Sequence, residues 1–122
     1  MRTFAINYYL CEVNIIVMIV VFEKLYLQEL YELGRVKGKK HRFQPEIILR
    51  YKRCIDLMIH VPDLIALNKY RSLNLEKLVG DKAGIYSIRV DRQYRIEFVV
   101  TKSQGEIKTT ICNIIDLSNH YK

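Results

Sequence analysis

The chain has 122 residues, half of them hydrophobic, and a formal net charge of +7. One domain of this size buries roughly two-thirds of the surface that its unfolded chain exposes, so a core can form without metal or disulfide support. The basic charge suits contact with a polyanion, because Lys and Arg release counterions from phosphates. A basic surface that is only solvated is the alternative interpretation.

The three cysteines, Cys11, Cys54 and Cys112, are odd in number and contain no CxxC pair. This pattern argues against a disulfide framework and a zinc site, and it favours a reducing cytoplasm and inert packing roles. The sequence contains no phosphate-binding loop, dinucleotide fingerprint, HExxH or GxSxG motif. Its thirteen carboxylates form no cluster that would hold Mg²⁺. We therefore predict a cytoplasmic protein that uses no cofactor and no metal.

The N-terminal segment is apolar but interrupted by polar residues, and no small-residue cleavage site follows it, which argues against a signal peptide. The uninterrupted run Ile15–Phe22 is too short to cross a membrane as a helix. We predict that the domain begins at Met18 and comprises 18–122. The extension 1–17 is expected to be poorly ordered or to pack as an accessory strand.

The first two-thirds of the domain predict one strand followed by helices. Ile19–Phe22 is short and β-branched, as strands are. Helical spacing of apolar residues follows over Glu23–Leu33, and Gly34 ends it. After a basic, glycine-containing loop, Pro45 opens a second helix that Pro62 breaks. The apolar residues of this second helix form one stripe, at Ile47, Tyr51, Cys54, Ile55 and Met58. Asp63 begins a short helical segment that runs to about Tyr70.

The last third changes from a period of 3.6 to a period of two. Alternating runs cover Ile85–Val90, Tyr94–Val100 and Ile107–Ile115, which predicts three strands joined by turns. The order of elements predicts an α+β domain in which the N-terminal strand and the helices accompany a mostly antiparallel sheet of about four strands.

The hairpin between the first two of these runs has one register that buries both apolar faces. It pairs Val90 with Tyr94 across the loop 91–93, because a slip by one residue would turn Arg95 into the core. The same register sets Arg89 directly opposite Arg95. We expect this pair on the sheet face away from the helices, with His120 within reach.

Like charges opposite each other on paired strands destabilise a sheet, and folding does not require them here. A phosphate between Arg89 and Arg95 would bind both guanidiniums, more strongly if it gains charge in a transition state. The alternative is a solvated network in which Glu97, Asp91 or Asp116 neutralises each arginine.

The C-terminal His120 and Tyr121 can supply the proton transfers that the arginines cannot. An imidazole donates or accepts a proton near neutral pH, and a tyrosine can stack on a base or donate a proton. RNA carries its own nucleophile, the 2′-OH. Cleavage without a metal ion therefore needs a base for that hydroxyl, cations for the phosphate and an acid for the leaving oxygen. A frayed C-terminus is the alternative. His41 and His60 occupy ordinary solvated positions.

The stretch 75–90 and the following 94–98 resemble the HigB-type toxins of the RelE/ParE superfamily of type II toxin–antitoxin systems. The resemblance rests on the Gly80–Asp81 turn, the aromatic Tyr86, both arginines and the strand spacing. It implies a compact RelE-like fold and a ribosome-dependent endoribonuclease that cuts mRNA and so inhibits translation. It also implies a helix-turn-helix antitoxin of the HigA type, with operator DNA contacted only through the complex, and no membrane partner.

The resemblance and the residues together predict the site. In many relatives Asp-Tyr-His ends the last strand; here Asp116 matches the aspartate, His120 follows after a two-residue insertion, and Tyr121 comes after the histidine. The predicted catalytic residues are Arg89, Arg95, His120, Tyr121 and Asp116. The predicted substrate-binding residues are Lys77, Lys82, Arg50, Arg53, Lys39 and Lys40. Lys77 is a phosphate clamp rather than a base, because an unperturbed lysine has a pKa of about 10.4.

Two other functions remain open at this point. One is a ParE-like toxin that poisons a DNA topoisomerase and cuts no RNA. The other is a non-toxic basic relative that binds RNA. The C-terminal tail contains His120, which can transfer a proton, and this favours the nuclease over the topoisomerase poison.

Overall fold

A computed structural model of the chain describes residues 15–37, 42–105 and 107–119. Its strands are β1 (Ile15–Phe22), β2 (Glu76–Lys77), β3 (Ile85–Arg89), β4 (Arg95–Gln104) and β5 (Ile107–Ser118). Its helices are α1 (Leu25–Leu33), α2 (Pro45–His60) and α3 (Leu64–Asn68). A single 3₁₀ turn, Arg71–Leu73, links α3 to β2, and another, Gly80–Lys82, precedes β3. The predicted α+β class is confirmed.

The strands form one sheet in the order β1-β5-β4-β3-β2, in which β1 runs parallel to β5 and every other pair is antiparallel. Within the described ranges the sheet has five strands where the sequence predicted about four, because β2 is too short to show a period. β1 begins at Ile15, so the strand includes three residues that the sequence assigned to the extension 1–17. Residues 1–14 lie outside the described part.

The core lies between the helices and one face of the sheet. In α2 the predicted apolar stripe is buried throughout, at Ile47, Tyr51, Cys54, Ile55 and Met58. The Tyr51 hydroxyl donates to the Leu27 carbonyl of α1 at 2.7 Å, which satisfies the one polar group that this stripe brings into the core. Opposite the helices, Ile88, Ile96 and Phe98 are fully buried. Apolar burial on both sides therefore fixes which face of the hairpin points inward.

The hairpin register is the one that the sequence predicts. Arg89 pairs with Arg95, and the Val90 amide donates to the Tyr94 carbonyl at 2.9 Å. The Asp91 carboxylate closes the loop by accepting from two backbone amides, each at 2.8 Å. A short polar side chain at this position of a turn commonly makes such bonds.

A β-bulge places Asp116. Glu97 of β4 pairs with Asp116 of β5, but the next residue of β4, Phe98, pairs with Ile114, so Ile115 is an extra residue. Such a bulge changes the face on which the following side chains lie. As a result Asp116 shares the sheet face of Glu97, opposite the buried face of Phe98.

Both described cysteines lie in the core. Cys54 is 7% exposed and Cys112 is fully buried, as inert packing residues would be. Burial raises the pKa of the Cys54 thiol to about 11 and that of Cys112 to about 12. Cys11 lies outside the described residues. None of the helices in the described ranges is both long and apolar enough to cross a membrane.

We expect Cys54 and Cys112 of the folded protein to resist iodoacetamide at about pH 8, because the thiolate is the reacting form and a raised pKa keeps it scarce. Site-resolved peptide mass spectrometry would measure the modification, with protein unfolded in guanidinium as the control. Equal modification of either cysteine in the folded and unfolded protein would contradict this placement.

Candidate functional site

An arginine-rich pocket lies between α2, the 71–74 segment and the end of the β3–β4 hairpin. Among the described residues, five arginines line it: Arg50, Arg53, Arg89, Arg92 and Arg95. Two acidic residues, Glu46 and Asp91, also line it. The excess of guanidinium over carboxylate makes this pocket suited to an anion.

One helix and one hairpin bring these arginines together. Arg50 and Arg53 are three residues apart on α2, so they share one face of the helix. Arg89 and Arg95 are cross-strand partners, and Arg92 lies in the loop between their strands. The Cys54 thiol lies 3.8 Å from the Arg89 carbonyl and joins the helix to the hairpin. The arginine pair lies on the face opposite buried Ile88 and Ile96, as expected, but α2 also forms one wall of the pocket, which the sequence did not predict.

The Arg95 side chain is buried and fixed in orientation. It is 6% exposed, its Nε donates to the Ser87 hydroxyl at 2.8 Å, and its Nη2 donates to the carbonyls of Ser87 and Asn74. Among the described residues it forms an ion pair with Glu76 at 3.4 Å, which is not one of the three carboxylates considered from sequence. Arg95 therefore has a structural role in the fold, which the interpretation of the pair from sequence did not include.

Arg89 differs from its partner in every one of these respects. It is exposed, and its Nε donates to the Asp91 carbonyl at 3.3 Å within the hairpin loop. Arg53 and Arg92 are exposed as well, and Arg50 forms a solvent-exposed ion pair with Glu46 at 3.2 Å. Exposed ion pairs of this kind contribute little to stability. The pocket thus combines one buried, oriented guanidinium with exposed ones that an incoming anion can reach.

A polar row continues on the same sheet face beyond the arginine pair. The carboxylate of Glu97, only 3% exposed, accepts from the Lys82 ammonium at 2.7 Å. The neighbouring Asp116 accepts from the Tyr26 hydroxyl at 2.9 Å. Burial, followed by the contact with Asp116, raises the pKa of Tyr26. Lys82, predicted to bind substrate, is therefore already paired with a buried carboxylate, and Asp116 is held by α1.

Lys77 is not brought to the arginine pair. It pairs with Tyr86 across β2 and β3, and its ammonium lies 5.6 Å from the centre of that ring. Because side chains alternate along a strand, Lys77 lies on the opposite face from Glu76, which contacts Arg95. Lys77 was the predicted site residue of this dipeptide, whereas Glu76 is the one that contacts Arg95.

Four predicted site residues lie outside the described part of the chain: His120, Tyr121, Lys39 and Lys40. Their roles stay predictions, as does the placement of His41. His60 is exposed at the end of α2, where its Nδ1 lies 2.6 Å from the Asp56 carbonyl. In the ranges that the structure describes, no group of three or more His, Cys, Asp or Glu side chains could hold a metal ion.

The sequence analysis did not select Glu76, Ser87, Asn74 or Arg92 as site residues. Arg92 could have been found, because the hairpin register places the loop 91–93 beside Arg89. Ser87 could have been found from its alternation with Arg89 on one strand. The contact of Asn74 with Arg95 is tertiary and has no local pattern.

Comparison with known proteins adds a likeness of fold. No family model matches the sequence, and no curated protein matches it. The structure resembles a YoeB/ParE toxin from Agrobacterium tumefaciens, with a TM-score of 0.51 and 20% sequence identity. The match covers 85% of this chain and 100% of that one. The chain therefore has the fold of this toxin.

Proposed function

We propose that the chain is a HigB-type toxin of the RelE/ParE superfamily, an endoribonuclease that cuts mRNA on the ribosome without a metal ion and thereby inhibits translation. The observation that carries this proposal is the pocket in which exposed Arg89 lies opposite buried Arg95, with Arg50, Arg53 and Arg92 around them. The likeness of fold to a YoeB/ParE toxin supports the superfamily.

The chemistry proposed is attack of the RNA 2′-OH on the adjacent phosphate. The phosphate gains negative charge as the fifth bond forms, and preorganised cationic donors stabilise that charge most when they need not reorient. Arg95 is preorganised by Ser87 and Asn74. Arg89, exposed beside it, can complete a two-armed contact with the phosphate oxygens. Arg50, Arg53, Lys39 and Lys40 would add sequence-independent affinity for RNA.

Proton transfer needs an acceptor for the 2′-OH proton and a donor for the leaving oxygen. Within the described ranges, the Glu76 carboxylate lies against the Arg95 guanidinium at 3.4 Å and is 48% exposed. This position suits a group that accepts the 2′-OH proton close to the bound phosphate. His120 would donate to the leaving oxygen, Asp116 would orient it, and Tyr121 would stack on a base. Lys77 and Lys82 would act at the periphery of the RNA.

The proposal includes a cytoplasmic location and an antitoxin of the HigA-like helix-turn-helix type. In a toxin–antitoxin pair, the antitoxin would keep the arginine pocket from RNA. The complex, rather than this chain alone, would contact operator DNA.

A ParE-like toxin that poisons a topoisomerase is the second candidate. The observation that favours it is that no histidine among the described residues lines the arginine pocket. Such a toxin would leave mRNA intact and change the supercoiling of a reporter plasmid, and alanine at His120 would leave growth arrest unaffected. A non-toxic RNA-binding relative would not arrest growth, whether its gene is induced alone or together with the neighbouring gene.

We expect induction of the intact chain to produce cuts inside translated reading frames, detected by primer extension on cellular mRNA. Arg89→Ala should reduce cutting by about 10²-fold, because it removes one of the two guanidinium contacts with the developing charge. Lys102→Ala, which removes one exposed charge from the far end of β4, is the matched control and should cut normally. Undiminished cutting by Arg89→Ala, or no cutting by the intact chain, would refute the proposal.

Arg95→Ala should lower the free energy of unfolding by about 2 kcal/mol, because it leaves the buried Ser87 hydroxyl and the partly buried Asn74 carbonyl without their donor. Arg89→Ala should change it by less than about 0.5 kcal/mol, as exposed positions do. Urea denaturation followed by circular dichroism measures both. Equal destabilisation by the two variants would contradict the assignment of separate roles.

Glu76→Gln should keep affinity for an uncleavable 2′-deoxy oligonucleotide, or raise it, because it removes a negative charge beside the phosphate site. Cleavage should fall by about 10²-fold if the carboxylate accepts the 2′-OH proton. Anisotropy gives the affinity and a ribosome-containing translation extract gives the cleavage. A parallel change in both quantities would mean that Glu76 is only an ionic partner of Arg95.

A further inference from the structure

A second pocket lies beside the arginine pocket, on the side of α3. It is lined by Ile65, Asn68, Lys69, Arg71, Asn74 and Leu75. Asn74 lines both pockets, so the two are neighbours that share one residue. No part of the function proposed above uses this second pocket.

The chemistry of the second pocket fits a nucleotide. Lys69 and Arg71 are both exposed, and no carboxylate among the described residues lines the pocket. Asn68 adds a side-chain amide, which can donate to and accept from the edge of a base. The aliphatic side chain of Ile65 is 73% exposed and offers a flat apolar contact for a base. A cation, an amide and an apolar surface are the three groups that a phosphate, a base edge and a base face require.

Asn74 fixes the two pockets relative to each other. Its φ of 46° makes it the one non-glycine residue in the described ranges with a positive φ. Such a conformation persists where surrounding contacts impose it, often at functional sites. Here Asn74 caps the 3₁₀ turn: its amide donates to the Arg71 carbonyl at 3.0 Å, and its carbonyl accepts from the Arg95 guanidinium. The residue that orients the buried arginine therefore also forms the boundary of the second pocket.

We propose that the second pocket binds the nucleotide adjacent to the phosphate held by Arg89 and Arg95, so that a single RNA strand crosses Asn74 from one pocket to the other. This subsite rests on the proposed function, because it assumes that the arginine pocket holds RNA. Lys69 and Arg71 contact the flanking phosphate, and Asn68 and Ile65 contact its base.

The test compares the affinities of the purified chain for two fluorescein-labelled 2′-deoxy oligonucleotides, a hexanucleotide and a dinucleotide, by anisotropy at low salt. The double variant Lys69→Ala/Arg71→Ala should bind the hexanucleotide about tenfold more weakly. The slope of its log affinity against log salt concentration should be shallower by the equivalent of about one to two phosphate contacts. Its affinity for the dinucleotide should change by less than about twofold, since one phosphate fills the arginine pocket alone.

The matched control is Lys102→Ala/Lys108→Ala, which removes the same charge from exposed positions on β4 and β5. Lys102 lies about 23 Å along the strand from Arg95. The control should bind both oligonucleotides as the unmodified chain does. Circular dichroism should show both double variants to be folded, because all four side chains are exposed.

Two results separate failure of the subsite from failure of the function. In the first result, Arg89→Ala weakens binding of both oligonucleotides, whereas Lys69→Ala/Arg71→Ala either behaves like the control or weakens the binding of both oligonucleotides equally. The subsite is then wrong, and the assignment of the arginine pocket is unaffected. If Arg89→Ala leaves both affinities unchanged, the arginine pocket does not bind RNA and both proposals fail.

Discussion

The register of the β3–β4 hairpin is the constraint on which the rest of the site depends. Ile88 and Ile96 are fully buried on one face, and a one-residue slip would exchange that apolar face for Arg95 and Glu97. The core therefore forces Arg89 and Arg95 together. The repulsion between them is offset for Arg95 by Ser87, Asn74 and Glu76, and is relieved for Arg89 by solvent. Apolar burial thus brings together the two guanidiniums that the proposed phosphate site requires.

The two arginines differ in burial and therefore in role. The buried one holds the 74–76 segment against the sheet, so that Glu76 and Asn74 are positioned by the same guanidinium. The exposed one is free of any such structural task. A substrate phosphate would then meet one donor that cannot move and another that can adapt. The same side chain therefore serves stability and geometry, and loss of Arg95 alone cannot separate the two.

Local patterns predicted much of this fold, and tertiary contacts account for what they missed. The 3.6 period of α2 and the alternation in β3 and β4 identified the buried faces, and with them the pairing of Arg89 with Arg95. The two-residue strand β2 has no period to detect. The contact of α2 with the hairpin depends on how helix and sheet pack, which no spacing in the sequence encodes. Because β2 shows no period, nothing in the sequence indicated that Glu76, rather than its neighbour Lys77, contacts Arg95.

The central claim is that Arg89 and Arg95 together hold an RNA phosphate. Its most direct test is NMR of the arginine Nε–H groups during titration with an uncleavable 2′-deoxy hexanucleotide. The account predicts that the Arg89 and Arg95 resonances shift in parallel with binding, and that the amide resonances of Lys102 and Lys108 do not. Saturable binding that leaves both arginine resonances in place would contradict it.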